Sequence, residues 1–156
     1  MTHSTAHAVH EEERGFSLIE LMVVVLIIGI LVAIALPSFL GARTRAQDKA
    51  AESLLRNGIA AAKTYFTDSD SYVGFDNPGP PSAASLIEAS IAWDPTGGPA
   101  AQGVISIHVD SATELVLDTL SGSGTPFCIA EQEIPTQGQS LGKADTPNFV
   151  GCTGGW

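Results

Sequence analysis

Residues 14–36 read RGFSLIELMVVVLIIGILVAIAL and contain the longest apolar stretch of the chain. From Phe16 to Leu36 the stretch has 21 residues, which as a helix would be about 31 Å long and would cross the hydrocarbon core of a bilayer. It is too long for the apolar part of an ordinary secretory signal, roughly 7–15 residues, and no small-residue cleavage site follows it. Because it is apolar on every face, it is not typical of a helix in a water-soluble core. A plain signal anchor accounts for this hydrophobicity.

A plain anchor does not account for Glu20, the single charge inside the apolar stretch, because a charge in a membrane span is costly and by default marks function. If the chain is cut after Gly15, Phe16 gains an α-amine with an ordinary pKa near about 7.7–8.0. Residues four apart share one helix face. Glu20 can therefore pair with the amine of its own chain or with that of a neighbouring copy, and its carboxylate also suits the positive end of the helix dipole.

The heptapeptide GFSLIEL at residues 15–21, followed by the apolar run, resembles the class III signal of type IV pilins and pseudopilins. The resemblance covers residues 14 to about 75. It implies that a prepilin peptidase cuts between Gly15 and Phe16 and that the new Phe16 amine is N-methylated. Glu20 matches the acidic residue that the family needs for subunit assembly. Gly29 and Pro37 match positions that flank a helix segment able to unwind in assembled filaments.

The resemblance and the residue pattern together divide the chain into four segments. Residues 1–15 are expected to be a leader peptide, 16–37 a transmembrane and assembly helix, 38–66 an amphipathic helix, and 67–156 a globular head. Pro37 can kink the helix. Apolar side chains then recur at helical spacing and predict one core-facing stripe: Ala51, Leu55, Ile59, Ala62 and Phe66.

The head is expected to be α+β, with the long helix packed on a small antiparallel sheet of three to four strands. Loops are expected over 67–82 and 94–103, with a short helix or turn over 85–90 that Ser82 can cap. Alternation and β-branched content predict three strands joined by short turns. A short edge is expected at the end of the chain. The strands are Val104–Val109, Glu114–Leu120 and Phe127–Glu133, and the edge is Phe149–Cys152.

Charge is unevenly distributed along the 156 residues. Residues 1–15 sum to −2, residues 16–66 to +2, and residues 67–156 to −10 from eleven acidic residues and Lys143. An acidic head disfavours direct nucleic-acid binding, which needs clustered Lys and Arg. The simplest interpretation of this charge is a soluble surface that resists aggregation.

Both cysteines, Cys128 and Cys152, lie in the last quarter of the chain. An extracytoplasmic head would be in an oxidising compartment, where a bridge between them can form. Two buried free thiols are the alternative. The spacing does not resemble a zinc site. Many type IV pilins close a C-terminal loop with a disulfide, and this pair resembles that arrangement.

The sequence predicts neither an enzyme nor a cofactor, because it contains no recognisable catalytic or phosphate-binding motif. His108 is expected to be a solvated residue on the polar face of a strand. Asp68 and Asp70 favour a turn over a calcium loop, since the remaining ligand positions do not match. Aromatic residues near the end of the helix are expected to lie in the core beneath the loop. They are Tyr65, Phe66 and Tyr72.

Taken together, the resemblance implies a structural subunit that polymerises with copies of itself into a surface filament serving adhesion, motility or DNA uptake. Its other partners would be the prepilin peptidase and methyltransferase, the pilus assembly platform and its ATPase, and the membrane before assembly. A pseudopilin of a type II secretion system and a minor tip pilin that acts as a binding module remain alternatives.

The expected location is a single-pass membrane precursor with its leader in the cytoplasm, followed by an extracellular pilus. The flanking charges oppose this orientation. Arg14 stands among three glutamates before the span, whereas Arg43, Arg45 and Lys49 follow it. The positive-inside rule alone would place the head in the cytoplasm, so the orientation depends on the peptidase motif.

Overall fold

The computed structural model describes residues 15–79, 81–133, 138–143 and 149–156. The chain forms two compact units, Met1–Leu40 and Gly41–Trp156. Helix α1, Leu18–Ser69, contributes residues to both and contains Pro37. The second unit adds helix α2, a five-stranded sheet and a short 3-10 turn at Phe149–Gly151. The bounds are α2 Ala83–Ile87, β1 Ala92–Asp94, β2 Val104–Val109, β3 Glu114–Leu120, β4 Pro126–Gln132 and β5 Gly138–Gly142.

The sheet has its strands in the order of the sequence, β1-β2-β3-β4-β5. β1 pairs with β2 in parallel, and every other neighbouring pair is antiparallel. The register places Ile107 beside Leu117 and Leu117 beside Ile129, so alternate residues of the central strands form one apolar face. This face packs on α1 and buries the main core, and a smaller buried cluster around Val116 and Cys128 lies on the opposite face of the sheet.

The α1 stripe expected from the sequence faces that core. Ala51, Leu55, Ile59 and Ala62 are buried, and Phe66 is partly buried against them. Gly58 lies on the same face, and a Cβ added to it would come within 2.5 Å of Ile105 Cδ1. The absence of a side chain at this one position therefore allows the sheet to approach the helix closely.

The aromatic residues at the end of α1 also lie where the sequence predicts. Tyr72 and Phe75 are fully buried. Their rings contact Phe66 and Tyr65, with centroids 4.8 Å and 5.4 Å apart. Such pairs add about 0.5–1.5 kcal/mol beyond the area they bury, and they secure the loop that follows the helix.

The predicted α+β fold is confirmed, and so is the Ser82 cap, whose hydroxyl accepts a hydrogen bond from the Ser85 amide at 3.2 Å. The short helix expected over 85–90 is present but lies at Ala83–Ile87, directly after this cap. The strand count is wrong, since the sheet has five strands. The edge strand expected at Phe149–Cys152 is wrong, because Phe149–Gly151 forms a 3-10 turn. The strand at that edge of the sheet, next to β4, is β5. The loop expected from Asp94 begins one residue too early, because Asp94 ends β1.

Candidate functional site

The Gly15–Phe16 junction lies just before the start of α1. Gly15, Phe16 and Ser17 adopt no regular structure, and the helix begins at Leu18. Phe16 is 84% exposed. The backbone on both sides of the Gly15–Phe16 bond is therefore free of helical hydrogen bonding and accessible to another protein.

Glu20 closes the first turn of α1. Its Oε2 accepts a hydrogen bond from the Ser17 amide at 3.0 Å, and the Leu21 amide donates to the Ser17 carbonyl at 3.3 Å. Ser17 thus caps the helix, and Glu20, three residues on, reaches back to it as in a capping box. This role was missed from the sequence, although the signal is present as Ser-x-x-Glu before an apolar run.

A shallow groove of about 360 Å³ runs beside the Glu20 carboxylate. Its other walls are apolar and consist of Phe16, Ile19, Val23 and Val24. The groove offers one negative charge within an apolar surface. Chemically, it suits a small cation carried on an apolar group.

The first unit exposes a continuous apolar surface. The apolar part of α1 has no buried residue, and its length and composition would allow it to cross a membrane. Gly29 and Pro37, expected to flank a segment that unwinds, both lie inside α1. Exposed apolar patches of this size mark contacts with membranes or other proteins. This surface therefore requires lipid or other chains to cover it.

A disulfide between Cys128 and Cys152 links the C-terminal segment to the sheet, and the two Cα atoms are 5.8 Å apart. Both residues are fully buried. The Trp156 indole donates to the carbonyls of Cys128 and Gly142 at 3.1 Å and 3.0 Å. The Arg56 guanidinium lies 5.0 Å from the same ring. The bridge anticipated from the sequence is therefore present.

A pair of hydrogen bonds also connects α1 to the β3–β4 turn. Asp48 accepts hydrogen bonds from the Ser121 hydroxyl at 2.7 Å and the Ser123 hydroxyl at 2.5 Å. The Ser123 hydroxyl, followed by that of Ser121, lowers the pKa of the Asp48 carboxyl. Sequence reasoning missed this contact, because its partners are more than seventy residues apart.

The expectation for His108 is wrong. Its Nε2 lies 2.6 Å from Asp118 Oδ1, and the side chain is only 12% exposed while that of Asp118 is fully buried. The residue does lie on the strand face opposite the main core, as alternation predicts. That face is covered rather than solvated, which a pattern within one strand does not reveal. Across the described residues, no group of three or more acidic, His or Cys side chains could hold a metal ion.

Comparison with known proteins places the junction and Glu20 inside a recognised motif. Residues 12–36 match the family model described as the prokaryotic N-terminal methylation motif. The chain is 47% identical over 64 residues to the type IV major pilin protein PilA of Myxococcus xanthus, covering 41% of this chain and 29% of that relative.

Two further relatives have similar names. The type IV wide pilus major component of Thermus thermophilus is 41% identical over 59 residues, covering 38% of this chain and 45% of the relative. The type IV major pilin of Neisseria gonorrhoeae is 33% identical over 99 residues, covering 64% of this chain and 45% of the relative. The chain thus spans less than half the length of each of these three relatives. No solved structure matches the chain.

Proposed function

We propose that the chain belongs to the type IV pilin family and is a structural subunit of a type IV pilus. The observation that carries the proposal is the methylation motif at residues 12–36. It spans an accessible Gly15–Phe16 junction and leads into an exposed apolar helix. Relatives named as major pilins favour a pilus over a secretion pseudopilin and over a minor tip subunit.

In this proposal a prepilin peptidase cuts between Gly15 and Phe16, and the released Phe16 amine is methylated. The precursor is held in the membrane by α1 with its leader in the cytoplasm. The pilus assembly platform and its ATPase then extract it into the filament. Adhesion, motility or DNA uptake would be properties of the whole filament, and the subunit's role is structural.

Assembly would use the geometry at Glu20. Cleavage creates a positive charge on Phe16, an apolar residue, and the groove beside Glu20 is apolar with one carboxylate. The amine of one copy fits the groove of a neighbour. Gly29 and Pro37 would bound a helix segment that loosens as copies pack. The exposed apolar surface of α1 would pass from lipid to the filament interior without meeting water.

Isolating sheared surface filaments from the native organism tests the function. We expect this chain to be the dominant protein of the preparation, and we expect filaments to disappear when its gene is deleted. Filaments that persist without the chain, or a chain present only in trace amounts, would overturn the role of major subunit.

A further inference from the structure

The second unit of the chain, residues 41–156, has two distinct ends along α1. At one end, the β2–β3 turn meets the end of the helix, because the Tyr72 amide donates to the Ala112 carbonyl at 2.8 Å. At the other end, Leu120 pairs with Pro126, and the turn between these residues is held by Asp48. Residues 48 and 70 are 22 apart, so the two ends are separated by about 33 Å.

The end near Asp48, called here the basic end, has four basic residues: Arg43, Arg45, Lys49 and Lys143. Among the residues that the structure describes, the carboxylates at this end are already engaged, Asp48 by serine hydroxyls and Glu52 by Lys49 at 2.7 Å. Even so, Lys49 remains 73% exposed. Arg43 and Arg45 are exposed, and neither forms an ion pair with any residue that the structure describes.

The opposite end, called here the acidic end, has six carboxylates and one cation among the described residues. The cation, Lys63, is already paired with Glu131 at 2.9 Å. Burial and the neighbouring Glu133 raise the pKa of the Tyr72 hydroxyl, which donates to that carboxylate at 3.0 Å. Of the six, Asp68, Asp70 and Asp110 are exposed. The set is Asp68, Asp70, Asp110, Glu114, Glu131 and Glu133.

Opposite charges at opposite ends of one compact unit make that unit complementary to a second copy of itself. We propose that the basic end of one copy, through Arg43 and Arg45, docks on the acidic end of another copy in the filament. This inference depends on the proposed pilus function, since a filament would bring copies of the chain into repeated contact. A contact repeated along a polymer also needs little strength per copy to matter.

An anionic membrane surface could attract the same arginines, and it is the alternative that the test must separate. The second copy is favoured because the complementary surface is present on the chain itself. Attraction between exposed charges acts over roughly 8–10 Å at physiological salt. It also orients an encounter and fixes its register. The contact would therefore set which neighbour a copy meets.

The test reverses each end separately and then both together in the full-length chain. The basic-end variant is Arg43→Glu with Arg45→Glu. The acidic-end variant is Asp68→Lys with Asp70→Asn, because Asp70 has φ 54 and asparagine tolerates that conformation. Glu88→Lys, at a partly exposed carboxylate outside both ends that accepts hydrogen bonds only from Ser90 among the described residues, is the control for a change in charge. Sheared filaments are measured against the total amount of the chain in the cells.

Each single-end variant is expected to lower filament yield about five- to thirtyfold, the range that one or two such interactions produce. The variant with both ends reversed is expected to recover most of the yield, and Glu88→Lys is expected to match the wild type. No recovery in the combined variant, or a loss confined to the basic-end variant together with release from the membrane, would overturn the proposal. Wild-type filaments would still support the pilus function in either case.

Discussion

Replacing Glu20 with alanine is expected to prevent filament assembly while the chain is still cut and inserted in the membrane. In the filament the Phe16 amine would lie among apolar helices, and Glu20 is the one carboxylate in the groove that would receive it. Removing one partner of a buried ion pair costs roughly 3–5 kcal/mol. The contact between copies should weaken by about a hundredfold to several thousandfold. Filament yield from cells with normal levels of the mature chain measures the effect.

Two matched variants separate this charge from the local role of Glu20 in capping α1. Glu20→Gln keeps an acceptor for the Ser17 amide but removes the charge, so it should fail to assemble as well. Ser17→Ala keeps the carboxylate and should assemble. Normal filaments from Glu20→Gln would contradict the ion pair and leave helix capping as the role of this residue.

Replacing Cys128 and Cys152 together with serine is expected to lower the free energy of unfolding by about 2–5 kcal/mol. The bridge joins residues separated by 24 positions and holds the segment whose Trp156 indole bonds to the sheet. Without the bridge the unfolded chain gains freedom and the folded segment loses its anchor. Denaturant unfolding of the full-length chain in detergent micelles provides the measurement.

Trp156→Phe, with the disulfide intact, is the comparison for this loss. It removes the two indole hydrogen bonds and keeps an aromatic ring, so we expect a smaller cost of about 1–3 kcal/mol. If the double serine variant unfolds within about 1 kcal/mol of the wild type, the disulfide is not what holds the C-terminal segment in place.

The parts of the fold that are visible in the sequence are those fixed by local patterns. The stripe from Ala51 to Phe66 and the alternation in Val104–Val109 each repeat with the period of their element. By contrast, β5 reads Gly-Gln-Ser-Leu-Gly, which has little preference for a strand, and it forms because β4 offers it a partner. β1 has only three residues and lies directly before a proline. It was missed because so short a segment has no strand pattern of its own and forms by pairing with β2.

The residues of the candidate site also differ in how well the sequence predicts them. Gly15, Phe16 and Glu20 are close in sequence, so a motif identifies them. The contacts that hold the head together join residues far apart in the chain, such as the hydrogen bond between Asp48 and Ser123. A spacing pattern within one segment cannot predict such contacts. The covered side chain of His108 likewise depends on Asp118 in the neighbouring strand.

A mass spectrum of this chain from purified filaments tests the proposed processing at the Gly15–Phe16 bond. We expect the mature chain to begin at Phe16 with a methylated amine and to lack residues 1–15. A filament chain that retains those residues, or that begins at any other position, would contradict this processing.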